Sequence, residues 1–270
     1  MENKFKVIVS DIDCTITRLD HTFSQRNFDA IAKARKAGYL FGLASGRPVE
    51  DLLIKYKDWG LDSQFDFIIA WNGCQLYDNQ TGIVHKYNYL TSDELKEIIE
   101  FMLQFKVSVN MYKPNTYMTN KESNRAWYSA FRNKRQLIIE EDIKKYYEEE
   151  SGGIMFRTTI EDMPLIEKDI QEKLSNKSYV GFKTQPDLME FASKQCNKGF
   201  ALKKYLNLKN IKSEECIAFG DTTNDNEMLA MCYGVCMKSG SDDTKAVAKE
   251  ITELTCDDDG FANYIEKHLL

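Results

Sequence analysis

Short runs of apolar, β-branched residues alternate with amphipathic segments in the first part of the chain. The runs at residues 5–10, 39–44 and 65–70 predict buried strands. Residues 24–37 carry apolar side chains at helical spacing and are followed by Gly38, a pattern typical of a helix that ends at glycine. Because strand and helix alternate, the pattern predicts an α/β fold with a Rossmann-like parallel sheet flanked by helices.

The pattern changes between residues 83 and 188. A capping box at Thr91–Glu94 opens a helix, and two short apolar runs separated by Pro114-Asn115 predict a hairpin. Further helix and strand patterns follow without strict alternation. The first pattern resumes near Asn197, with a helix and then a strand. We therefore predict an α/β core domain formed by residues 1–82 and 189–270, with an inserted α+β cap domain at residues 83–188.

Composition narrows the class of protein. The chain has 270 residues, a net charge of −6 and 43% hydrophobic residues. The negative charge gives no reason to expect nucleic acid or an anionic membrane as a partner, and no apolar run is long enough to span a bilayer. The seven cysteines include no C-x-x-C pair, and only three histidines are present, so scattered reduced thiols are expected rather than a zinc site. With no visible signal peptide, we expect a cytoplasmic protein.

Acidic residues follow two of the predicted strands. Asp11 and Asp13 come after the first strand, and if the chain stays extended both carboxylates face the same side. Asp221 follows the strand at 216–219, with Asp225 close behind it. Carboxylates that converge at the carboxyl edge of a sheet repel one another unless a cation binds them, and oxygen ligands without histidine favour Mg²⁺. Helix capping is the alternative role for such residues, and a lone D-x-D also occurs in metal-binding glycosyltransferases.

Two further stretches supply groups that bind anions. Ser45-Gly46-Arg47 lies between a predicted strand and a helix, where a hydroxyl and backbone N–H groups can hold a phosphate, although an ordinary N-cap is the alternative. Lys198 stands at the start of a helix, where the helix dipole disfavours a cation. Because this position is unfavourable for a cation, Lys198 is less expected to be a simple solvated surface charge.

These stretches together resemble the motifs of the haloacid dehalogenase-like phosphatase superfamily. The likeness extends over essentially the whole chain and is greater to the Cof-type branch, which carries a large C2-type (IIB) α+β cap between the second and third motifs. The first motif usually has glycine where this chain has Cys14, so that loop is expected to be stiffer or slightly reshaped. The matching residues are Asp11-x-Asp13-x-Thr15, Ser45-Gly46-Arg47, Asn72-Gly73, Lys198-Gly199, Gly220-Asp221-x-x-Asn224-Asp225 and Asp259-Gly260.

The resemblance implies a role for each matching residue. Asp11 would attack phosphorus and form an aspartyl-phosphate, and Asp13 would act as general acid and then as general base. Mg²⁺ would be held by Asp11, Asp221, Asp225 and the backbone carbonyl of Asp13. The phosphate would be bound by Ser45, Lys198, Arg47 and Asn224, with Asn224 supporting the metal or Lys198, and Asn72 and Gly73 would line the substrate entrance.

The predicted function is a Mg²⁺-dependent phosphatase acting on a small phosphorylated metabolite, such as a sugar phosphate or a phosphorylated cofactor. A phosphomutase with the same two aspartates and a catalytically silent phospho-ligand-binding protein are the alternatives. A receiver-type switch also combines acidic residues, a hydroxyl and a lysine. Its phosphorylated aspartate ends the third strand, however, whereas Asp11 ends the first, and an inserted cap has no place in that design.

Overall fold

The computed structural model describes residues 4–270, which fold as two compact units. The strands in chain order are β1 (Val7–Asp11), β2 (Leu40–Ala44), β3 (Phe67–Ala70), β4 (Gln75–Asp78), β5 (Ile83–Lys86), β6 (Ser108–Lys113), β7 (Thr116–Thr119), β8 (Gln136–Ile139), β9 (Ile154–Arg157), β10 (Tyr179–Gln185), β11 (Leu188–Ser193), β12 (Cys216–Gly220), β13 (Tyr233–Cys236) and β14 (Glu250–Ile251). The helices are α1 (Gln25–Lys36), α2 (Val49–Asp58), α3 (Ser92–Met102), α4 (Asn124–Arg132), α5 (Met163–Leu174), α6 (Lys198–Leu208), α7 (Asn226–Met231), α8 (Asp242–Val247) and α9 (Gly260–His268).

Unit 1 comprises the chain up to Tyr87 together with residues 196–270. Its sheet has the strand order β14-β13-β12-β1-β2-β3-β4-β5. All neighbouring strands from β14 to β3 pair in parallel, whereas β4 and β5 form antiparallel pairs at one edge. The strand β1 lies between β12 and β2, so the segments that follow these strands leave the sheet at one edge. This is the α/β architecture predicted from the alternating pattern.

Both faces of this sheet are buried under helices. In β1, Ile8 packs on one face with residues of α1, α2 and α9, while Val7 and Val9 pack on the other face with residues of α6 and α7. A continuous apolar strand is what a parallel sheet covered on both sides requires. Apolar side chains fill the hydrophobic cores on the two faces of the sheet, and the polar residues at the strand ends line its carboxyl edge.

Unit 2 spans residues 88–195 and has its own hydrophobic core. Its sheet has the order β10-β11-β9-β6-β7-β8, and the strands pair antiparallel except for β7 with β8. The helices α3 and α5 bury one face of the sheet, and α4 packs on the other through Ala126 and Ala130. The predicted capping box is present, because Thr91 accepts from Glu94 N and the Glu94 carboxylate accepts from Thr91 N.

Several elements differ from the sequence-based expectation. The expected domain boundaries at 82/83 and 188/189 lie a few residues before the changes of unit at 87/88 and 195/196, beside β5 and β11. The sequence pattern does not predict the strands β4, β5 and β8, because each has only four residues and two or three apolar side chains. The helix α7 does not follow β12 directly but begins at Asn226, after a 3₁₀ turn over Thr223–Asp225.

The expectation that all cysteines are separate reduced thiols is wrong in this structure. Cys74 and Cys196 form a disulfide with a Cα–Cα distance of 5.2 Å, although 122 positions separate them in the sequence. Their proximity depends on the packing of the segment after β3 against the segment before α6, which no local pattern records. The remaining five cysteines are free thiols, four of them buried.

Over residues 4–270, none of the helices combines the length and the apolar character needed to cross a membrane. The longest of them, such as α1, have 12 residues, which is well short of the roughly 20 that a bilayer requires.

The buried Asn27 links the loop after β1 to two helices. Its Nδ2 donates to Ile16 O at 2.7 Å, and its Oδ1 accepts from Ala262 N at 3.1 Å. Replacing Asn27 with alanine leaves both partners without a hydrogen bond in a dry environment, so we expect a loss of about 2–3 kcal/mol in the free energy of unfolding, measured by urea denaturation. The exposed Gln25 on the same helix is the control, and Gln25→Ala should change stability by less than about 0.5 kcal/mol. Equal losses in the two variants would contradict this role for Asn27.

Candidate active site

The carboxyl ends of β1 and β12 place two aspartates side by side. Asp11 is the last residue of β1, and Asp221 directly follows β12, the strand that pairs with β1 in parallel. Both residues are buried, and together with Asp225 they offer carboxylate oxygens that all lie within 4.8 Å of one another. The convergence expected at this edge of the sheet is therefore present.

A fully buried lysine stands inside this acidic cluster. Lys198 is the first residue of α6, and its Nζ lies 2.5 Å from Asp11 Oδ1 and 2.6 Å from Asp225 Oδ1. Asn197 caps the helix by accepting from Phe200 N, which fixes the point at which the lysine leaves the backbone. Burial works against the charged ammonium, but the two carboxylates outweigh it and raise the pKa of Lys198 above its usual value. Lys198 is thus held as a cation.

Asp225 organises the segment that follows β12. Its Oδ1 accepts from Lys198, and its Oδ2 accepts from the backbone N–H groups of Asp221 and Thr222. The side chain is completely buried, and a Cβ on Gly220 would lie only 2.5 Å from it. Glycine at this position therefore allows Asp225 to sit against the end of the strand.

Burial raises the pKa of two carboxyl groups in the cluster. For Asp221, desolvation is the main cause, the charge of Asp225 adds to it, and the pKa rises to about 6. For Asp11, desolvation also dominates and raises the pKa well above its usual value, while Lys198 opposes the shift. Without another cation, the site resists full ionisation, since one buried ammonium faces three carboxylates.

Asp13 lies in a different electrostatic environment. A turn over Ile12–Ile16 interrupts the extended chain after Asp11, although Asp13 itself has extended backbone angles (φ −71°, ψ 126°), so the expectation of an uninterrupted extended D-x-D segment is wrong. The Asp13 carboxylate instead accepts two hydrogen bonds from Arg47 Nη2, at 3.2 and 3.3 Å, and lies 3.3 Å from His21 Nδ1. Desolvation opposes ionisation, but Arg47 and the other nearby cations outweigh it and lower the pKa of Asp13.

Cys14 occupies the turn position where the resemblance led us to expect glycine. Its φ of 61° places it in the left-handed region, which side chains other than glycine adopt at a cost. Burial raises the pKa of its thiol to about 11, so the thiolate is scarce near neutral pH. With cysteine at this position, the neighbouring carboxylates contact Lys198 and Arg47 at the site.

Ser45 and Asn72 join the segments that follow β2 and β3. Ser45 is buried; its carbonyl accepts from Asn72 N at 3.0 Å, and its hydroxyl oxygen lies 3.3 Å from Arg47 N, which donates to it. The Asn72 side chain accepts from Asn224 Nδ2 at 3.2 Å. Asn224 therefore contacts Asn72 rather than Lys198, which is supported by Asp11 and Asp225 instead.

Gly73 allows the segment after β3 to approach the start of α6. Its φ of 102° favours glycine, and an added Cβ would lie 2.0 Å from the carbonyl oxygen of Asn197. The segment carrying Asn72 and Gly73 is thus packed directly against the residue that caps the helix of Lys198.

Some residues at the site were not given a role by sequence reasoning. Thr15 is buried and donates its hydroxyl to Asp221 Oδ1 at 3.2 Å, and it is part of the first motif. His21 contacts Asp13 from an exposed turn, and no local pattern distinguishes it. Asn197 could have been found as a helix cap before Lys198.

The cluster suits a hard divalent cation. The three side chains offer only carboxylate oxygens, which Mg²⁺ prefers, and Lys198 offsets only one of the three negative charges when all are ionised. The Asp13 carboxylate lies outside this group and accepts hydrogen bonds from Arg47 instead. The residues present therefore fit the ion.

Comparison with known proteins agrees with this geometry. Residues 8–265 match the sequence model of the haloacid dehalogenase-like hydrolase family, and the chain belongs to that family. It is 24% identical to the 5-amino-6-(5-phospho-D-ribitylamino)uracil phosphatase YitU of Bacillus subtilis, with 99% of each chain covered. It is 25% identical to the HMP-PP phosphatase of Escherichia fergusonii, over 81% of this chain and 78% of that protein.

Solved structures give the same fold. A haloacid dehalogenase-like hydrolase from Bacteroides thetaiotaomicron superposes with a TM-score of 0.87 at 24% identity, over 98% of this chain and 99% of that one. The subclass IIB sugar phosphatase BT4131 superposes with a TM-score of 0.76 at 21% identity, over 97% and 98% of the two chains. The predicted superfamily, its Cof-type branch with an inserted cap, and the enzyme class of a phosphatase are confirmed.

The raised pKa of Asp221 predicts a pH dependence of stability in EDTA. Between its unfolded value near 3.8 and about 6, the folded protein binds more protons than the unfolded chain, so ionisation of Asp221 destabilises the fold as pH rises. We expect the wild type to lose about 2 kcal/mol relative to Asp221→Asn between pH 4 and 7, measured by urea unfolding at each pH.

The position of the change provides the check on this prediction. The difference between the two proteins should develop mostly between pH 4 and 6 and remain flat above pH 7. If the free energies of unfolding of the wild type and of Asp221→Asn change equally across this pH range, Asp221 ionises in the folded protein as readily as in the unfolded chain, and the prediction is wrong.

Proposed function

We propose that this enzyme is a Mg²⁺-dependent phosphatase that hydrolyses a small phosphorylated metabolite through an aspartyl-phosphate intermediate. The observation that carries the proposal is the buried cluster of Asp11, Asp221 and Asp225 around Lys198, with Asp13 and Arg47 beside it. A carboxylate nucleophile, a second carboxylate for proton transfer and fixed cations are the groups that phosphoryl transfer needs.

Asp11 is the proposed nucleophile. Its Oδ1 is held by Lys198, which leaves Oδ2 as the oxygen to attack phosphorus. The P–O bond to the leaving group breaks as the Asp11 oxygen bonds to phosphorus, and water later attacks the same phosphorus to release inorganic phosphate and free Asp11. Desolvation raises the pKa of Asp11 and favours the protonated, unreactive form, whereas the ammonium of Lys198 opposes this shift and favours the ionised nucleophile.

Asp13 is the proposed acid and base. In the free protein, Arg47 lowers its pKa, which suits the later step in which it takes a proton from water. In the first step it must instead give a proton to the leaving oxygen. A phosphate dianion bound beside Asp13 would raise its pKa, so substrate binding would favour the protonated form when the proton is required.

The phosphate oxygens are proposed to contact Ser45, Lys198 and Arg47. An ammonium has three hydrogens, and the bonds to Asp11 and Asp225 engage two of those of Lys198, so one remains for a phosphate oxygen. Asn224 and the segment Asn72-Gly73 lie next to these groups and are proposed to line the entrance. Their contribution to phosphate binding is expected to be smaller than that of the cations.

Mg²⁺ would be held by Asp11, Asp221, Asp225 and the backbone carbonyl of Asp13. When bound, it would offset the repulsion between the carboxylates and the incoming phosphate. Thr15 orients Asp221 for this purpose, since its hydroxyl donates to one carboxylate oxygen. The relatives named as phosphatases of small phosphorylated molecules support the proposed substrate class. The predicted location of the protein is the cytoplasm.

Substituting the two catalytic aspartates tests these roles. Asp11→Asn should abolish turnover while the fold is retained, because the amide is not a nucleophile; a measurable residual rate should be at least about 10³-fold below the wild type.

Asp13→Asn should slow both half-reactions by roughly 10²- to 10⁴-fold. Circular dichroism and urea unfolding check the fold of each variant. Near-normal turnover by Asp11→Asn would disprove the assignment of the nucleophile.

Phosphate release from a substrate panel tests the activity itself. The panel contains sugar phosphates, 5-amino-6-(5-phospho-D-ribitylamino)uracil, HMP-PP and p-nitrophenyl phosphate, each assayed with Mg²⁺ and with EDTA. We expect turnover of one compound group with Mg²⁺ and its loss in EDTA. Mg²⁺ should also raise the melting temperature of the wild type more than that of Asp221→Asn, a readout independent of turnover. Equal turnover in EDTA and Mg²⁺ would contradict the metal requirement.

A further inference from the structure

We propose that the Cys74–Cys196 disulfide is a redox-sensitive latch that holds the phosphate-binding residues in place, and that a dithiol reductant opens it and lowers turnover. The inference rests on the proposed phosphatase function. Its basis is the position of the bridge: Cys74 lies two residues after Asn72, and Cys196 lies two residues before Lys198.

On one side, the bridge fixes the segment after β3. Trp71 and Asn72 both adopt the left-handed conformation, with φ of 49° and 47°, which is costly for a bulky residue such as Trp71. Asn72 contacts Ser45 through its backbone and Asn224 through its side chain. A covalent bond at Cys74 restrains this strained turn and, through Asn72, the positions of Ser45 and Asn224.

On the other side, the bridge fixes the start of α6. Cys196 immediately precedes Asn197, whose side chain caps the helix that presents Lys198. Gly73 packs against the Asn197 carbonyl, so the cap and the turn already touch. The disulfide adds a covalent link beside this contact. Displacement of Asn197 would move the ammonium relative to Asp11 and Asp225.

The two cysteines of the disulfide differ in exposure, so a reductant reaches one sulfur more easily than the other. Cys74 is completely buried, whereas Cys196 is partly exposed, so a reductant thiolate can reach the Cys196 sulfur with Cys74 as the leaving thiolate. The second thiol of the reductant then closes its own disulfide and releases Cys196. Two electrons and two protons pass to the protein, giving two cysteine thiols and one oxidised dithiol.

The same pair is tied to the end of β5. Tyr87 N donates to the Cys74 carbonyl at 2.8 Å, and the Tyr87 carbonyl lies 3.6 Å from the Cys196 sulfur. Tyr87 is the last residue of unit 1 before residues 88–195, and Cys196 is the first residue after them. The latch therefore lies where the chain leaves and re-enters unit 1.

The test compares the oxidised and reduced forms of the full chain. Thiol titration after denaturation should find five thiols in the oxidised protein and seven after treatment with dithiothreitol. With Mg²⁺ and an active phosphate ester from the panel, reduction should lower kcat roughly tenfold, the scale expected when fixed catalytic groups lose their alignment. Reoxidation should restore the rate. Seven thiols before reduction, or equal kcat values in the two forms, would overturn the latch.

Variants identify the cysteines responsible. The double variant Cys74→Ala/Cys196→Ala should resemble the reduced wild type and show no response to dithiothreitol. Cys14 is also near the catalytic aspartates, so Cys14→Ser is the matched control and should retain the full ratio between oxidised and reduced rates. Loss of the response in Cys14→Ser, with the double variant still responsive, would assign the redox effect to Cys14 and contradict the proposal.

Amide hydrogen exchange provides a readout that does not depend on turnover. Reduction should increase exchange in residues 71–74 and 196–200 while the central strands β1 and β12 remain protected. Unchanged exchange in these two segments would contradict the latch even if kcat falls. If neither form hydrolyses any compound, the proposed phosphatase function fails, while the thiol count and the exchange data still decide whether the bridge restrains the two segments.

Discussion

The buried ammonium of Lys198 between Asp11 and Asp225 is the interaction on which the site depends. Three carboxylates at one edge of a sheet repel each other, and burial strengthens that repulsion because water no longer screens it. Lys198 offsets part of this repulsion, favours the ionised form of Asp11 and still leaves negative charge for a second cation to balance. Loss of this lysine would leave uncompensated charges in a dry environment. It would therefore destabilise both the site and the fold around it.

The parallel sheet explains how distant parts of the chain supply this cluster. Strands β1 and β12 are neighbours, so Asp11 and Asp221 emerge side by side although 210 positions separate them in the sequence. Thr15 and Asp225 then orient Asp221 through its carboxylate and its backbone. The active-site aspartates thus have restricted positions before any ligand binds, which lowers the cost of aligning a reacting phosphate.

The two aspartates of the first motif differ because their surroundings differ. Asp11 lies against buried carboxylates and has a raised pKa, whereas Asp13 faces Arg47 and has a lowered one. The turn after β1 accompanies this difference, because the Asp13 carboxylate accepts from Arg47 while the Asp11 carboxylate accepts from Lys198. Unit 2 builds its own core around a separate sheet, so its packing does not depend on the core of unit 1.

The sequence by itself determined the strands that carry the site and the residue types at their ends. The short apolar runs at residues 7–9 and 216–219 predict strands because a sheet covered on both faces favours apolar side chains, and the charged residues that follow them are conspicuous. Tertiary structure decided the rest. The strands β4, β5 and β8 become strands only through pairing with neighbours, the turn at Asp13 depends on packing around it, and the Cys74–Cys196 bridge requires two segments that local patterns cannot bring together. These features depend on contacts between residues far apart in the chain. The strand pattern is visible in the sequence because each buried position along a strand favours an apolar residue.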